Sequence, residues 1–184
     1  MNYRICSWDA QQAQAYCAEL SEILCDCVEG GASVSFMAGL SLQRAHAFWQ
    51  GVVQGLAAGE RHLLVALEGP EPRDGLHTRE RVLGTVQLVT AMPDNQPHRA
   101  DLSKMLVHRR ARRQGIAAAL LSAAEQRARE LGKTCIVLDT ETGGDAERLY
   151  ARAGWTQAGQ IPDFALKPDG RLCSTTLFYK LLAV

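Results

Sequence analysis

Residues 101–121, DLSKMLVHRRARRQGIAAALL, constrain the fold of this 184-residue chain more than any other stretch. Asp101 to His108 reads as a strand, with β-branched Val107 near its end. Arg109 to Gln114 is a polar, positively charged connection. From Ile116, apolar residues recur at Ala117, Leu120, Leu121, Ala124, Ala128 and Leu131, the spacing of one helix face. A helix entered from such a turn is an anion site. Its first N–H groups have no intrahelical acceptor, and the macrodipole adds partial positive charge. Gly115 lets a ligand approach the backbone because no Cβ intervenes. Arg109, Arg110, Arg112 and Arg113 add guanidinium groups that can pair with phosphate oxygens. The physical reading is a turn that holds a pyrophosphate.

Other phosphate-binding patterns do not fit. No Lys-Ser or Lys-Thr follows the glycine, which sets aside the P-loop, and there is no G-x-G-x-x-G, which disfavours a dinucleotide fingerprint. Twenty Lys and Arg balance twenty Asp and Glu, so the basic turn is a local feature of a neutral chain. That balance favours a small anionic ligand over nucleic acid. The arginines also lack interleaved aromatic stacking positions. No signal-peptide pattern or bilayer-length apolar run stands out, so neither a membrane segment nor export is expected. Cys6, Cys17, Cys25, Cys27, Cys135 and Cys173 show no zinc spacing and no Cys/His catalytic context. They read as reduced, mostly buried thiols of a cytoplasmic protein without a metal. His46 and His108 have no ligand spacing either.

Taken in order, Tyr3 to Cys6 is a short strand, and Asp9 caps a helix running to about Val28. Ser41 caps a helix through Ala58 that Gly59 ends. Arg61 to Glu68 and Arg81 to Met92 are strands, joined by a polar, mobile hairpin loop from Gly69 to Arg79. Gly132 stops the long helix, and Thr134 to Asp139 is a buried strand. Asp145 to Ala153 is a further helix. Trp155 to Ile161 and Cys173 to Leu182 are closing strands around a loop with Pro162, Pro168 and Asp169-Gly170. Hydrophobic residues make up 47%, and no linker or repeat divides the chain, so residues 1–184 form one α/β domain.

The turn contains Arg112-x-x-Gly115-x-Ala117, which resembles the acetyl-CoA pyrophosphate signature [QR]-x-x-G-x-[GA] of the GNAT superfamily of N-acetyltransferases. Ala146-x-x-Leu149-Tyr150-x-x-x-Gly154-Trp155 resembles that superfamily's second cofactor motif. More narrowly, residues 30–37, Leu138-Asp139-Thr140-Glu141 and residues 168–172 are similar to the tabtoxin-resistance acetyltransferases. Three positions depart from the pattern: Arg109 stands where proline is usual, Ala117 replaces a second glycine, and Gly143 replaces an asparagine. The resemblance implies a GNAT fold, a central splayed mixed sheet of about seven strands flanked by about four helices. A homodimer is a family analogy.

The resemblance also implies direct acetyl transfer from the cosubstrate acetyl-CoA to a primary amine, here of a small molecule and perhaps of an amino-acid-like toxin. Met105, Leu106 and Val107 would hold the pantetheine arm through their backbone. Arg112, Arg113, Gln114, Gly115, Ile116, Ala117 and Ala118 would hold the pyrophosphate. An alkyl amine has a pKa of about 10, so it must lose a proton to attack. Asp101 and Asp139, with Glu141 as a third candidate, would accept that proton or bind the ammonium. The Leu106 N–H would stabilise the thioester oxygen at a strand bulge, and Tyr150 would protonate the leaving thiolate. The Gly30–Leu40, Asp139–Gly144 and Asp163–Arg171 segments would form the acceptor pocket, with Phe36, Met37, Trp49 and Trp155 as candidate walls. A protein N-terminus, a polyamine or an aminoglycoside is the alternative acceptor. A non-catalytic acetyl-CoA sensor is the alternative to an enzyme.

Overall fold

The computed structural model describes residues 2–69 and 80–183, so most of the hairpin loop expected over Gly69–Arg79 lies outside the described residues. Seven strands form one sheet: β1 (Tyr3–Trp8), β2 (Arg61–Glu68), β3 (Arg81–Val89), β4 (Arg99–Val107), β5 (Cys135–Glu141), β6 (Thr156–Leu166) and β7 (Leu172–Leu181). Their order is β1-β2-β3-β4-β5-β7-β6. Every neighbouring pair is antiparallel except β4 with β5. The parallel pair arises because α4 (Ile116–Glu130) carries the chain back along the sheet between them.

The expected first helix is two: α1 (Ala10–Ala15) and α2 (Cys17–Glu29). Asp9 caps α1 with a full capping box, accepting from the Gln12 N–H at 2.7 Å while its own N–H donates to Gln12 Oε1 at 3.1 Å. The break is at Tyr16, whose backbone leaves the helical range (φ −110°, ψ 17°) as its ring packs 4.8 Å from that of Trp8. Ser41 caps α3 (Leu42–Ala57), accepting from Arg44 N–H at 3.2 Å. α5 (Asp145–Arg152) follows β5.

Central strands bury both faces, so β2 reads as an unbroken apolar run instead of an alternation. Leu64 and Ala66 join one core with Leu120, Leu121, Ala124 and Ile136, beneath α4 and α5. Leu63, Val65 and Leu67 join a second core with Leu20, Leu24, Trp49 and Val52, beneath α1, α2 and α3. Each fully buried leucine contributes roughly 1.5–3 kcal/mol of transfer free energy. At the sheet edge β6 runs on to Leu166, past the expected turn at Pro162. An edge strand needs no N–H from Pro162 on its open side, and the irregularity between Ile161 and Ala165, with Asp163 at φ 52°, absorbs the kink.

Candidate active site

The site begins where β4 and β5 part. They pair only at Arg99↔Cys135, Ala100↔Ile136 and Asp101↔Val137. Beyond Asp101, β4 leans on β3 and β5 leans on β7, which opens a cleft of about 660 Å³ between them. Met105, Leu106 and Val107 line it from β4. Arg112, Arg113, Gly115, Ile116, Ala117 and Ala118 line it from the turn and the start of α4, and Asp139 and Tyr150 from β5 and α5.

A bulge re-aims β4 at this point. Thr85 pairs with Leu106 and Gln87 with Ser103, so Lys104 and Met105 together face the single residue Val86. Lys104 takes φ 50°, and the Thr85 hydroxyl donates to its carbonyl at 3.3 Å. His108 N–H donates to Leu83 O at 2.9 Å. Bonded pairs recur every second residue of an antiparallel ladder, so Leu106, opposite Thr85, turns its N–H toward β3. This corrects the expected role of the Leu106 N–H: the alternation turns the N–H groups of Met105 and Val107 toward the open side. Val107 O accepts from Arg112 Nε at 3.2 Å and from Cys27 Sγ at 3.5 Å. Burial pushes the Cys27 thiol up despite nearby Arg112, which keeps it a donor.

The turn before α4 is shaped by left-handed backbone. Gly115 caps α4 in the left-handed region (φ 79°) without a side-chain cap, and Arg113 is also left-handed (φ 64°). The first regular helical bond there runs from Ala119 N–H to Gly115 O at 3.0 Å, which leaves the preceding N–H groups for a ligand. Gln114 does not line the cleft; its Oε1 is enclosed without a hydrogen-bond partner. Arg109 docks the turn onto α2. Asp26 accepts from its N–H at 2.7 Å and its Nε at 2.8 Å, and His108 lies 3.4 Å away. Burial works against the Asp26 carboxylate, but Arg109 and His108 together hold its pKa below the usual carboxylate range. The arginine in place of proline thus has a structural partner. Gly143 has one too: its N–H donates to Glu147 Oε2 at 2.6 Å, and Glu147 Oε1 accepts from Thr176 at 2.6 Å.

Tyr150 is 4% exposed, against Trp155 and Phe178 at ring distances of 5.8 and 6.0 Å. Burial, with a smaller contribution from Asp139, pushes its phenol well above the usual value. Asp139 accepts from the Thr175 hydroxyl at 3.0 Å. Asp101 does not join them. It is ion-paired with Arg99 and lies outside the cleft lining. Glu141 lines the cleft but is engaged by Lys167 at 2.6 Å. Of the expected pocket segments, residues 30–35, 139–141 with Gly144, and 164–165 reach the cleft. Trp49 and Trp155 are core residues, Met37 is exposed on the surface, and Phe36 packs on the second core. The aromatic wall is Phe164 instead. Lys104 and Thr175 also reach the cleft, and no sequence motif marks them.

The family model described as Acetyltransferase (GNAT) family matches residues 38–155. Among solved structures, the chain is similar to a GNAT superfamily phosphinothricin acetyltransferase from Sinorhizobium meliloti in complex with acetyl-CoA (18% identity, 100% of this chain and 90% of that one, TM-score 0.77). It is similar to a Salmonella typhimurium protein solved with its cofactor acetyl-CoA (22%, 100% and 96%, TM-score 0.74). A ribosomal-protein-alanine N-acetyltransferase from Brucella melitensis is a third (22%, 97% and 99%, TM-score 0.71). At such identities these likenesses carry the fold.

Proposed function

The chain belongs to the acetyltransferase (GNAT) family, and from that premise we propose that it moves the acetyl group of acetyl-CoA onto the primary amine of a small molecule by direct attack in a ternary complex. One observation carries the reading: the cleft opened by the splay of β4 and β5 holds a backbone edge, an anion turn, a carboxylate and a buried phenol together. The edge and turn fit an extended thioester with a pyrophosphate at its far end. Acetyl-CoA supplies an activated acyl carbon and a thiolate leaving group.

Each residue then has a task. Met105 and Val107 offer N–H groups along the open edge of β4, and that of Met105, at the bulge, is our choice for the charge that develops on the thioester oxygen. The N–H groups of Ile116, Ala117 and Ala118 receive phosphate oxygens. Asp139 takes a proton from the acceptor ammonium, directly or through water, as the new N–C bond forms. Tyr150 gives its hydroxyl proton or a strong hydrogen bond to the sulfur as the C–S bond breaks. A phenol with a raised pKa stays protonated until that moment.

The test is release of free CoA thiol from acetyl-CoA across a panel of small amines, including β-lactam amino acids of the tabtoxin type, with acetyl-CoA binding followed by calorimetry on the same sample. Binding together with release to one amine class is the expected outcome. Binding without release to any amine overturns catalysis of small amines in favour of another acceptor or a sensor.

A further inference from the structure

Beyond the groups already given tasks, Lys104 lines the cleft as a cation that the transfer chemistry leaves unused. Lys104 sits at the β4 bulge, one residue before the N–H assigned to the thioester oxygen. A lysine at φ 50° is costly, on the order of 1 kcal/mol, and such backbone is kept where it aims a side chain. Its Nζ donates to Ser35 Oγ at 3.1 Å and lies 5.8 Å from the centre of the Phe48 ring. Among the described residues it forms no ion pair. Lys167 is paired with the cleft residue Glu141 at 2.6 Å. Asp139, across the cleft, accepts from the neutral Thr175 hydroxyl. Burial lowers the Lys104 pKa and Asp139 partly restores it, so the ammonium is under-solvated and would gain from an anionic partner.

Resting on the small-amine reading above, we infer that the acceptor carries an anionic group beside its amine, with Lys104 and the Ser35 hydroxyl holding the anion while Asp139 holds the ammonium. The acceptor class is then a compact amino acid or a close analogue with another acidic group. Lys104 is a specificity-determining residue: it repels diamines, polyamines and aminoglycosides, which bring only positive charge to this end of the cleft.

The experiment compares kcat/KM for matched amines: L-α-amino acids against their carboxamides, and 4-aminobutyrate against 1,4-diaminobutane. The wild type should prefer the acid roughly 10–100-fold, the scale of one charge-assisted contact. Lys104→Met should erase that preference, Lys104→Arg should retain most of it, and Lys104→Glu should turn it toward the diamine. An acetyl-CoA-induced rise in Tm checks that each variant is folded; if Lys104→Glu does not fold, the Met and Arg variants decide. A wild type that uses amides or diamines as well as acids overturns the anion site, as does a preference that survives Lys104→Met. In both cases the transferase reading stands. Acetyl-CoA binding with no CoA release to any amine overturns both readings together.

Discussion

Tyr150 lines the cleft with Asp139, and its role is open to a test at the level of a single atom. Removing the Tyr150 hydroxyl leaves a ring that still packs on Trp155 and Phe178. Tyr150→Phe should therefore slow transfer roughly 10–1000-fold, the range of a lost general acid, with little change in acetyl-CoA affinity. Because burial raises its pKa, the phenol is protonated at both pH 7 and pH 9, so the fold-loss should be the same at either pH in the thiol-release assay. Asp26 answers to pH in the opposite range. Its folded pKa is depressed, so its stabilisation is present above the unfolded value of about 4 and lost as pH falls through the folded value. Asp26→Asn should lower Tm at pH 7, and the gap from wild type should close toward pH 3 in thermal melts. A gap that persists in acid would show that the carboxylate charge is not what holds the turn.

At the scale of elements, the anion turn depends on backbone shape more than on its arginines. Gly115 is left-handed at φ 79°, and an added Cβ there would lie 3.5 Å from the Tyr3 hydroxyl. Gly115→Ala forces a side chain into that region at a cost of about 1–2 kcal/mol. The expected outcome is acetyl-CoA binding weakened roughly tenfold by calorimetry and a fall in Tm of about 2–8 °C. This turn was readable in the sequence because one local stretch encodes it. The succession of strands and helices along the chain, α5 included, was readable for the same reason. The resemblance implied a bulge in β4 but not its place at Lys104 and Met105: Leu102, Lys104 and Leu106 share a parity, and a strictly alternating strand would bury all three. In the structure Leu102 belongs to one core and Leu106 to the other, with the bulge between them and Lys104 turned into the cleft. A lysine between two buried leucines was the available signal. Asp101 and Asp139 looked equivalent because sequence carries no information on which neighbour each carboxylate meets. Arg99 takes one, and Thr175 the other. Trp49 and Trp155 suit a core and a pocket wall alike on sequence, since apolar residues at helical or strand spacing are usually core, and the core is where they lie.

Across the whole molecule, the two halves of the sheet are tied by few contacts, and Glu125 supplies one tie from outside it. Its carboxylate, on α4, accepts from Trp155 Nε1 at 2.9 Å and from Lys180 Nζ at 2.8 Å, joining α4 to β7 and to the end of the second cofactor motif. Glu125→Ala would leave the Trp155 indole N–H without its acceptor and strip the Lys180 ammonium of its carboxylate, with Ala153 O at 2.8 Å still accepting from it. The expected loss is about 2–3 kcal/mol, discounted for the partial exposure of Lys180. In a domain of this size that is a Tm fall of roughly 5–10 °C by calorimetric scan. β4 and β5 themselves share three residue pairs, so the middle of the sheet is its least stitched line. In the binding mode proposed above, an extended cosubstrate along β4 would occupy the place of a strand that the chain does not encode. Catalysis and architecture are then coupled: the folded state gains stability with the logarithm of acetyl-CoA concentration, and a depleted acetyl-CoA pool leaves the sheet with an open seam.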